Sequence, residues 1–365
     1  MINISKGFTE DEQYLLTDSI ADNIANEFFE YMEYFYSYNF NEDFILLKSL
    51  YWCYLQVDEY KLPKVDKELP VFRPSGIGGC PREHYMRLSK AISDNDLKDS
   101  KTKNLIEPYK ARWQRLGTKS GDYFQYDILH AEKVIEDNKF LFEKVEKETP
   151  LGETYKAPHF EQFSSTHKVI EHNGKKFVLS GSTDGIMIYT NEFGEEIRVG
   201  LEIKSKQTTS SKTSRYSMKK IDDKHLQQII GYSILFEVDY WVVVYLNASK
   251  KSWNMTDEEY YKNPDFRVFG KYISEDMRND VKEKLSNIVK SLHDENPLPL
   301  QLDNWNFNEY KQSCAESVTK DELEELLESR DNFIGESWKK KAVEQALDEI
   351  MDIKGLDWGW TLEDF

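Results

Sequence analysis

Three short apolar runs constrain what this chain can fold into more than any other feature: Phe177-Val178-Leu179-Ser180, Asp184-Gly185-Ile186-Met187-Ile188-Tyr189, and Ile197-Arg198-Val199-Gly200-Leu201-Glu202-Ile203-Lys204. The turn formers Asn191 and Gly194 separate the last two, so these are predicted to pair as a β-hairpin. Successive side chains of a strand point to opposite faces, which puts Glu202 and Lys204 on one face and Leu201 and Ile203 on the other. Gly181-Ser182-Thr183-Asp184 delivers a second carboxylate at the mouth of the neighbouring strand. Two carboxylates and an ammonium can therefore converge.

A hard divalent cation such as Mg²⁺ takes one or two carboxylates together with water and substrate phosphate oxygens. It acidifies a bound water until hydroxide can attack phosphorus. A lysine alongside can position that water or offset developing charge. Glu-x-Lys alone is a common pattern on half-exposed hairpins, so the trio needs support from elsewhere, and the next segment supplies it. Residues 219–236 place Leu226, Ile229, Ile230, Ile234 and Leu235 at helical spacing, while Lys224, Gln228 and Tyr232 recur at i, i+4 and i+8 as a polar stripe. All three can donate to phosphate oxygens. On an isolated helix the same stripe would be an ordinary solvated face. An apolar strand, residues 240–246, follows.

In this order the segments resemble the motifs of the PD-(D/E)XK nuclease superfamily, in its RecB-like and phage-type exonuclease branch. Gly181-x-x-Asp184 is similar to the family's metal-binding Asp motif, Glu202-Ile203-Lys204 to its E-x-K, and Gln228-Ile229-Ile230-Gly231-Tyr232 to its Q-x-x-x-Y. Ser75 to Leu88, containing Gly76-Ile77-Gly78-Gly79-Cys80-Pro81-Arg82-Glu83-His84-Tyr85, resembles the segment with which RecB-like nuclease domains often open. The resemblance implies an α/β fold with a central mixed β-sheet flanked by helices, and Mg²⁺- or Mn²⁺-dependent hydrolysis of DNA, foremost as an exonuclease of replication, recombination or repair, phage-encoded members included. It implies Asp184 and Glu202 as metal ligands, the backbone carbonyl of Ile203 as a third, and Lys204 as the catalytic lysine. Gln228 and Tyr232 would order the site or hold DNA phosphate, and Arg82 and Tyr85 would contact a strand end. The family usually adds a His or Glu from an earlier helix in a Gly-x-x-x-His or Gly-x-x-x-Glu context. Here Gly117-Thr118-Lys119-Ser120-Gly121-Asp122 puts Gly121 at that position, leaving Asp122 as the nearest substitute and Asp127 and His130 as fallbacks. An endonuclease on the same core, or a catalytically silent module for binding DNA or protein, are the alternatives.

Some relatives hold an iron–sulfur cluster on four cysteines. This chain has Cys53, Cys80 and Cys314, and although residues 305–314 resemble a reduced form of the segment that carries such ligands, no cluster is expected. Three unpatterned cysteines fit a reducing cytoplasm, bacterial or that of a phage-infected cell. No apolar run approaches the ~20 residues of a membrane span. A net charge of −18 argues against DNA, but residues 1–70 and 321–365 each contribute −9, and residues 71–320 are neutral. The expected organisation follows that division: an acidic helical region over 1–70, a nuclease domain over 71–320 and an acidic helical extension over 321–365. Within the neutral part, Lys206, Lys212, Arg215, Lys219, Lys220 and Lys224 form a basic strip suited to a DNA backbone. The acidic ends read first as the solvated outer faces of amphipathic helices packed on the nuclease core, over 11–36, 44–55 and from Thr319 onward, and second as a dock for a protein partner or a shield over the site, with Trp358 to Phe365 mixing aromatics and acids as docking peptides do.

Overall fold

The computed structural model describes residues 10–38, 41–57, 65–66, 68–98, 102–103, 105–249, 252–335 and 337–356. Two helices, α1 (Glu10–Tyr36) and α2 (Phe44–Leu55), precede a short strand β1 (Val71–Phe72), a helix α3 (Pro81–Leu88) and a long helix α4 (Pro108–Val134). Strands β2 (Phe140–Phe142), β3 (Lys144–Glu148), β4 (Thr154–Pro158), β5 (Thr166–His172), β6 (Lys175–Gly181), β7 (Gly185–Thr190) and β8 (Glu196–Lys206) follow in a run. After them come α5 (Asp223–Phe236), β9 (Tyr240–Asn247), α6 (Asp257–Lys262), β10 (Phe266–Tyr272), α7 (Glu275–His293), α8 (Lys311–Glu316), α9 (Lys320–Asp331) and α10 (Ser337–Lys354).

The expected hairpin forms, with Gly185 opposite Leu201 and Thr190 opposite Glu196. Its turn is closed by Asn191, whose Oδ1 accepts from the N–H groups of Phe193 and Glu195, and by Gly194 at φ 76°. The hairpin lies inside a five-stranded sheet of order β10-β9-β8-β7-β2, in which β8 and β9 are parallel and the other neighbours antiparallel. Helices flank this mixed sheet, as expected for the fold class. Alternation divides the sheet between two cores. Leu201, Ile203, Val242, Val244 and Leu246 pack with α1 and α4, whereas Trp241, Val243 and Tyr245 pack with α5 and α7. Glu202 and Lys204 therefore emerge on the α5 side. A smaller sheet, β1-β6-β5, and the β3-β4 hairpin complete the strands.

The expected division at residues 70 and 320 does not follow the cores. Phe28, Met32 and Ile24 of α1 are fully buried against the main sheet, so the acidic N-terminal helix is an integral layer, and its Asp18 and Glu27 pair with Lys271 and Lys139 of the body. At the other end Leu323, Leu347 and Ile350 of α9 and α10 share one cluster with Cys80, Met86, Trp305 and Cys314, so a boundary at 320 cuts through a core. The tail Trp358 to Phe365 lies outside the described residues. Among the described residues no helix is long and apolar enough to cross a membrane.

Candidate active site

At the mouth of the hairpin the chain holds its acids by backbone geometry. Asp184 stands immediately before β7, and its Oδ2 accepts from the N–H of Ile203 on the adjacent strand at 2.6 Å. Buried Thr183 fixes the corner: its N–H donates to Ser164 Oγ and its hydroxyl donates to the carbonyl of Leu201 at 3.3 Å. Glu202, one residue further along β8, is only 1 % exposed. Lys204 reaches over it, ion-paired with Glu202, and donates to Gln228 Oε1 at 2.9 Å. Gln228 Nε2 in turn donates to the Tyr232 hydroxyl at 3.3 Å. The helix register that places residues 228 and 232 one turn apart thus builds a buried brace behind Lys204. Gly231 makes it fit, because a Cβ there would lie 2.4 Å from Ile77 Cδ1.

The electrostatics are unusual for an interior. Both Glu202 carboxylate oxygens are buried, with the Lys204 ammonium in contact with Oε1. Burial, and then the charge of Asp184, push Glu202 up to about 8, while Lys204 pulls it down. Asp184 is also raised above the ordinary carboxylate range, by burial. Burial works against the Lys204 ammonium, but Glu202 and Asp184 outweigh it and hold the lysine above its usual value.

Two further residues belong to this group, and sequence reasoning missed both. Gln125 of α4 is buried, and its amide nitrogen donates to the carbonyl of Asp184 at 2.8 Å and to Glu161 Oε1 at 3.2 Å. Glu161 opens a 3₁₀ turn, Glu161–Ser164, with φ 48°, in the left-handed region that non-glycine residues seldom adopt. Its N–H donates to the carbonyl of Thr183 at 2.9 Å, and burial followed by the charge of Asp184 pushes its carboxyl up to about 7. The helix in which Gly121 stands at the family's ligand position, with Asp122 as the nearest substitute, instead brings Gln125, four residues on, against the acids. Gly121-x-x-x-Gln125 repeats the motif spacing one turn later, a signal present in the sequence. Gly117, Gly121 and Gln125 share a helix face. A Cβ at Gly117 would meet Ser205 Oγ at 3.0 Å, whereas one at Gly121 would meet nothing within 4 Å, so a gap opens between two points of contact.

The other expected residues fall in different places. Asp122 is half-exposed and ion-paired with Lys119. Asp127 accepts from the Tyr36 hydroxyl, and His130 is buried with its ring against Phe35. Arg82 is no strand-end contact: it is 3 % exposed and occupied by Glu322, Ser317 Oγ and the carbonyl of Leu298. Tyr85 packs on the core that Arg82 helps to lock. Gln228 and Tyr232 are buried, the first bonded to Lys204 and the second to Gln228. Lys224 stays exposed, near the Phe307 ring, and half-buried Lys206 lies over the Tyr245 ring. Cys80 and Cys314 are buried in the third core, their sulfurs accepting from Gln301 N–H and Asn308 Nδ2. A cavity of about 400 Å³ lined by Lys168, Glu237 and Arg278 among others contains none of the site residues.

Among the described residues no three His, Cys, Asp or Glu side chains gather into a closed metal cage. The donor set nevertheless fits a hard cation, which needs only one or two carboxylates beside water and phosphate oxygens, and Glu202 presents two buried oxygens.

No family model matches the chain, and no curated protein does. Among solved structures it is similar to an alkaline exonuclease from Laribacter hongkongensis, at 12 % identity over 62 % of this chain and 90 % of that one, with a TM-score of 0.33. The same exonuclease in complex with dAMP gives 14 % identity, the same coverage and a TM-score of 0.32. A phage-related exonuclease from Haemophilus somnus 129PT gives 11 % identity over 62 % of this chain and 95 % of that one, with a TM-score of 0.29.

Proposed function

We propose that this chain is a Mg²⁺- or Mn²⁺-dependent deoxyribonuclease of the PD-(D/E)XK type, working as an exonuclease in DNA replication, recombination or repair. The observation that carries this reading is the Glu202 carboxylate, sealed from water with the Lys204 ammonium against it and a second acid, Asp184, alongside. Burying charge without full compensation costs several kcal/mol. Clustered, strongly perturbed groups of this kind belong to functional sites more often than to scaffolds.

Asp184 and Glu202 would hold the cation, with the carbonyl of Ile203 as a further donor. When bound, the cation supplies Lewis acidity and a water acidic enough to attack phosphorus. Asp184 is pinned for this task by the N–H of Ile203, and Glu202 by its place inside the sheet. Lys204, braced by Gln228, presents N–H protons toward the reacting oxygens and offsets the charge that builds on phosphorus as the bond breaks. Tyr232 keeps Gln228 in that position. Lys206 and Lys224, from the same strand and helix, meet backbone phosphates, so binding weakens with salt.

The test uses wild type and Lys204→Ala with end-labelled linear and closed circular DNA, in Mg²⁺, Mn²⁺ or EDTA. Loss of linear DNA alone, dependent on metal and on Lys204, is expected. Cutting of circles would make the enzyme an endonuclease. Failure to cut either form, or RNA or single strands, would contradict the reading and leave a silent binding module.

A further inference from the structure

Helix α4 begins outside the body of the protein. None of residues 108–119 is buried, and burial starts only at Ser120. A surface helix ordinarily turns an apolar stripe inward, yet here Tyr109, Trp113 and Leu116, at i, i+4 and i+7, face solvent with 45, 53 and 47 % exposure. Tyr109 and Trp113 rest edge to face with centroids 5.4 Å apart. In a chain of net charge −18, residues 108–121 contain Lys110, Arg112, Arg115 and Lys119 and no acid. Lys110 pairs with Glu107 and Lys119 with Asp122, while Arg112 and Arg115 have no acidic partner among the described residues.

The helix stands on the strand that carries the catalytic lysine. Gln207 Nε2 donates to the carbonyl of Trp113 at 3.1 Å and to Ser205 Oγ at 3.1 Å, and Gly117 lets the helix backbone close on Ser205. The exposed aromatic and cationic turns are therefore fixed one to three residues beyond Lys204. The next turn down carries the gap at Gly121, and the one after that carries Gln125 on Asp184 and Glu161.

We infer that the N-terminal half of α4 is a binding arm for a single DNA strand, stacking unpaired bases on Trp113 and Tyr109 and holding their phosphates with Arg112 and Arg115. Base faces are open to aromatic side chains only when the strand is unpaired, whereas a duplex would ask only for the cations. Charge complementarity selects the polyanion among the occupants that an exposed apolar stripe could take. This inference rests on the nuclease reading and specifies how its substrate is led to the carboxylates.

The experiment measures binding of a labelled single-stranded oligonucleotide and of a duplex in EDTA, where no cleavage competes, by fluorescence anisotropy over a salt series. Wild type is compared with Trp113→Ala, Trp113→Phe and the double variant Arg112→Ala/Arg115→Ala, each checked for unchanged melting. Trp113→Ala is expected to weaken single-strand binding roughly tenfold, and Trp113→Phe to restore most of it. Losing two phosphate contacts lowers the slope of log K against log salt by about 1.4. If wild type binds DNA and all variants bind it equally, the arm is refuted and the nuclease reading stands. If the variants bind equally but sediment as smaller species, the helix is a contact between copies of the chain and the inference is likewise overturned. If wild type neither binds nor cleaves nucleic acid, the functional reading falls first and takes the arm with it.

Discussion

The chain buries two constellations of opposite charge, and they differ in how far they are satisfied. Arg82 and Glu322 form a closed account: the guanidinium gives both oxygens of Glu322 bonds at 2.9 Å and serves Ser317 and Leu298 as well, and Glu322 takes a further bond from the N–H of Leu300. Glu202 lies as deep and receives no aligned donor, though Lys204 stands beside it. A buried charge with all its bonds made is joining parts of the fold, here α3 to α9. Under the proposed function, the buried carboxylate short of partners is the one that awaits a cation. The contrast is the best guide in this molecule to which acidic and basic residues act and which only hold.

If it is right, substitutions at the two places must fail in opposite ways. Glu202→Gln or Lys204→Ala should cost about 10²- to 10⁴-fold in cleavage rate with the melting temperature unchanged or raised, checked by end-label release and calorimetry on one preparation. Arg82→Ala should do the reverse: it strands Glu322 and is expected to remove about 3–5 kcal/mol of stability, measured by urea unfolding, while the rate per folded molecule stays at the wild-type level. Similar rate losses in all three variants would break the comparison.

A finer cut falls on the residues that hold the acids. Glu161→Gln or Gln125→Ala should weaken divalent-metal affinity about 10- to 100-fold, the usual cost of losing a partner that orients a ligand, read by Mn²⁺ titration. Next comes a pH effect whose sign is fixed. Glu202 and Glu161 have folded values raised to about 8 and about 7, so both favour the folded state below the unfolded value near 4.5, and that favour is lost as pH rises through 7 to 8. Metal-free protein should therefore lose stability across that window, Glu202→Gln should flatten the loss, and saturating Mg²⁺ should offset it. The smallest effect is expected at Asp122→Asn. Its carboxylate is half-exposed and paired with a surface lysine, an interaction worth about 0–1 kcal/mol, so metal affinity should hold within about twofold.

Much of this contrast was legible in the chain before its structure. Alternating residues and an Asn/Gly turn fixed the hairpin, and with it the neighbourhood of Asp184, Glu202 and Lys204, because that geometry is local. The bounds of α2 and most of α5 followed from hydrophobic spacing for the same reason. Arg82 was misread because a basic residue in a Gly-rich opening segment looks the same whether it faces DNA or a glutamate 240 positions later in the chain. Glu161 was invisible because it depends on a left-handed residue and a bond to Thr183, which no periodicity encodes. Gln125 lay within reach: the spacing that drew attention to Gly121 recurs from Gly121 itself. For α1, net charge says nothing of the apolar face; the helical spacing of Ile24 and Phe28 marks it, and the core buries both.

The most direct test of the central claim is a calorimetric titration of Mn²⁺ into wild type and Glu202→Gln at pH 8, with no DNA present. Saturable binding by wild type is expected, and its loss in the variant while both proteins remain folded. Equal binding by the two, or none by either, would show that the buried carboxylate at the mouth of the hairpin is not a metal ligand.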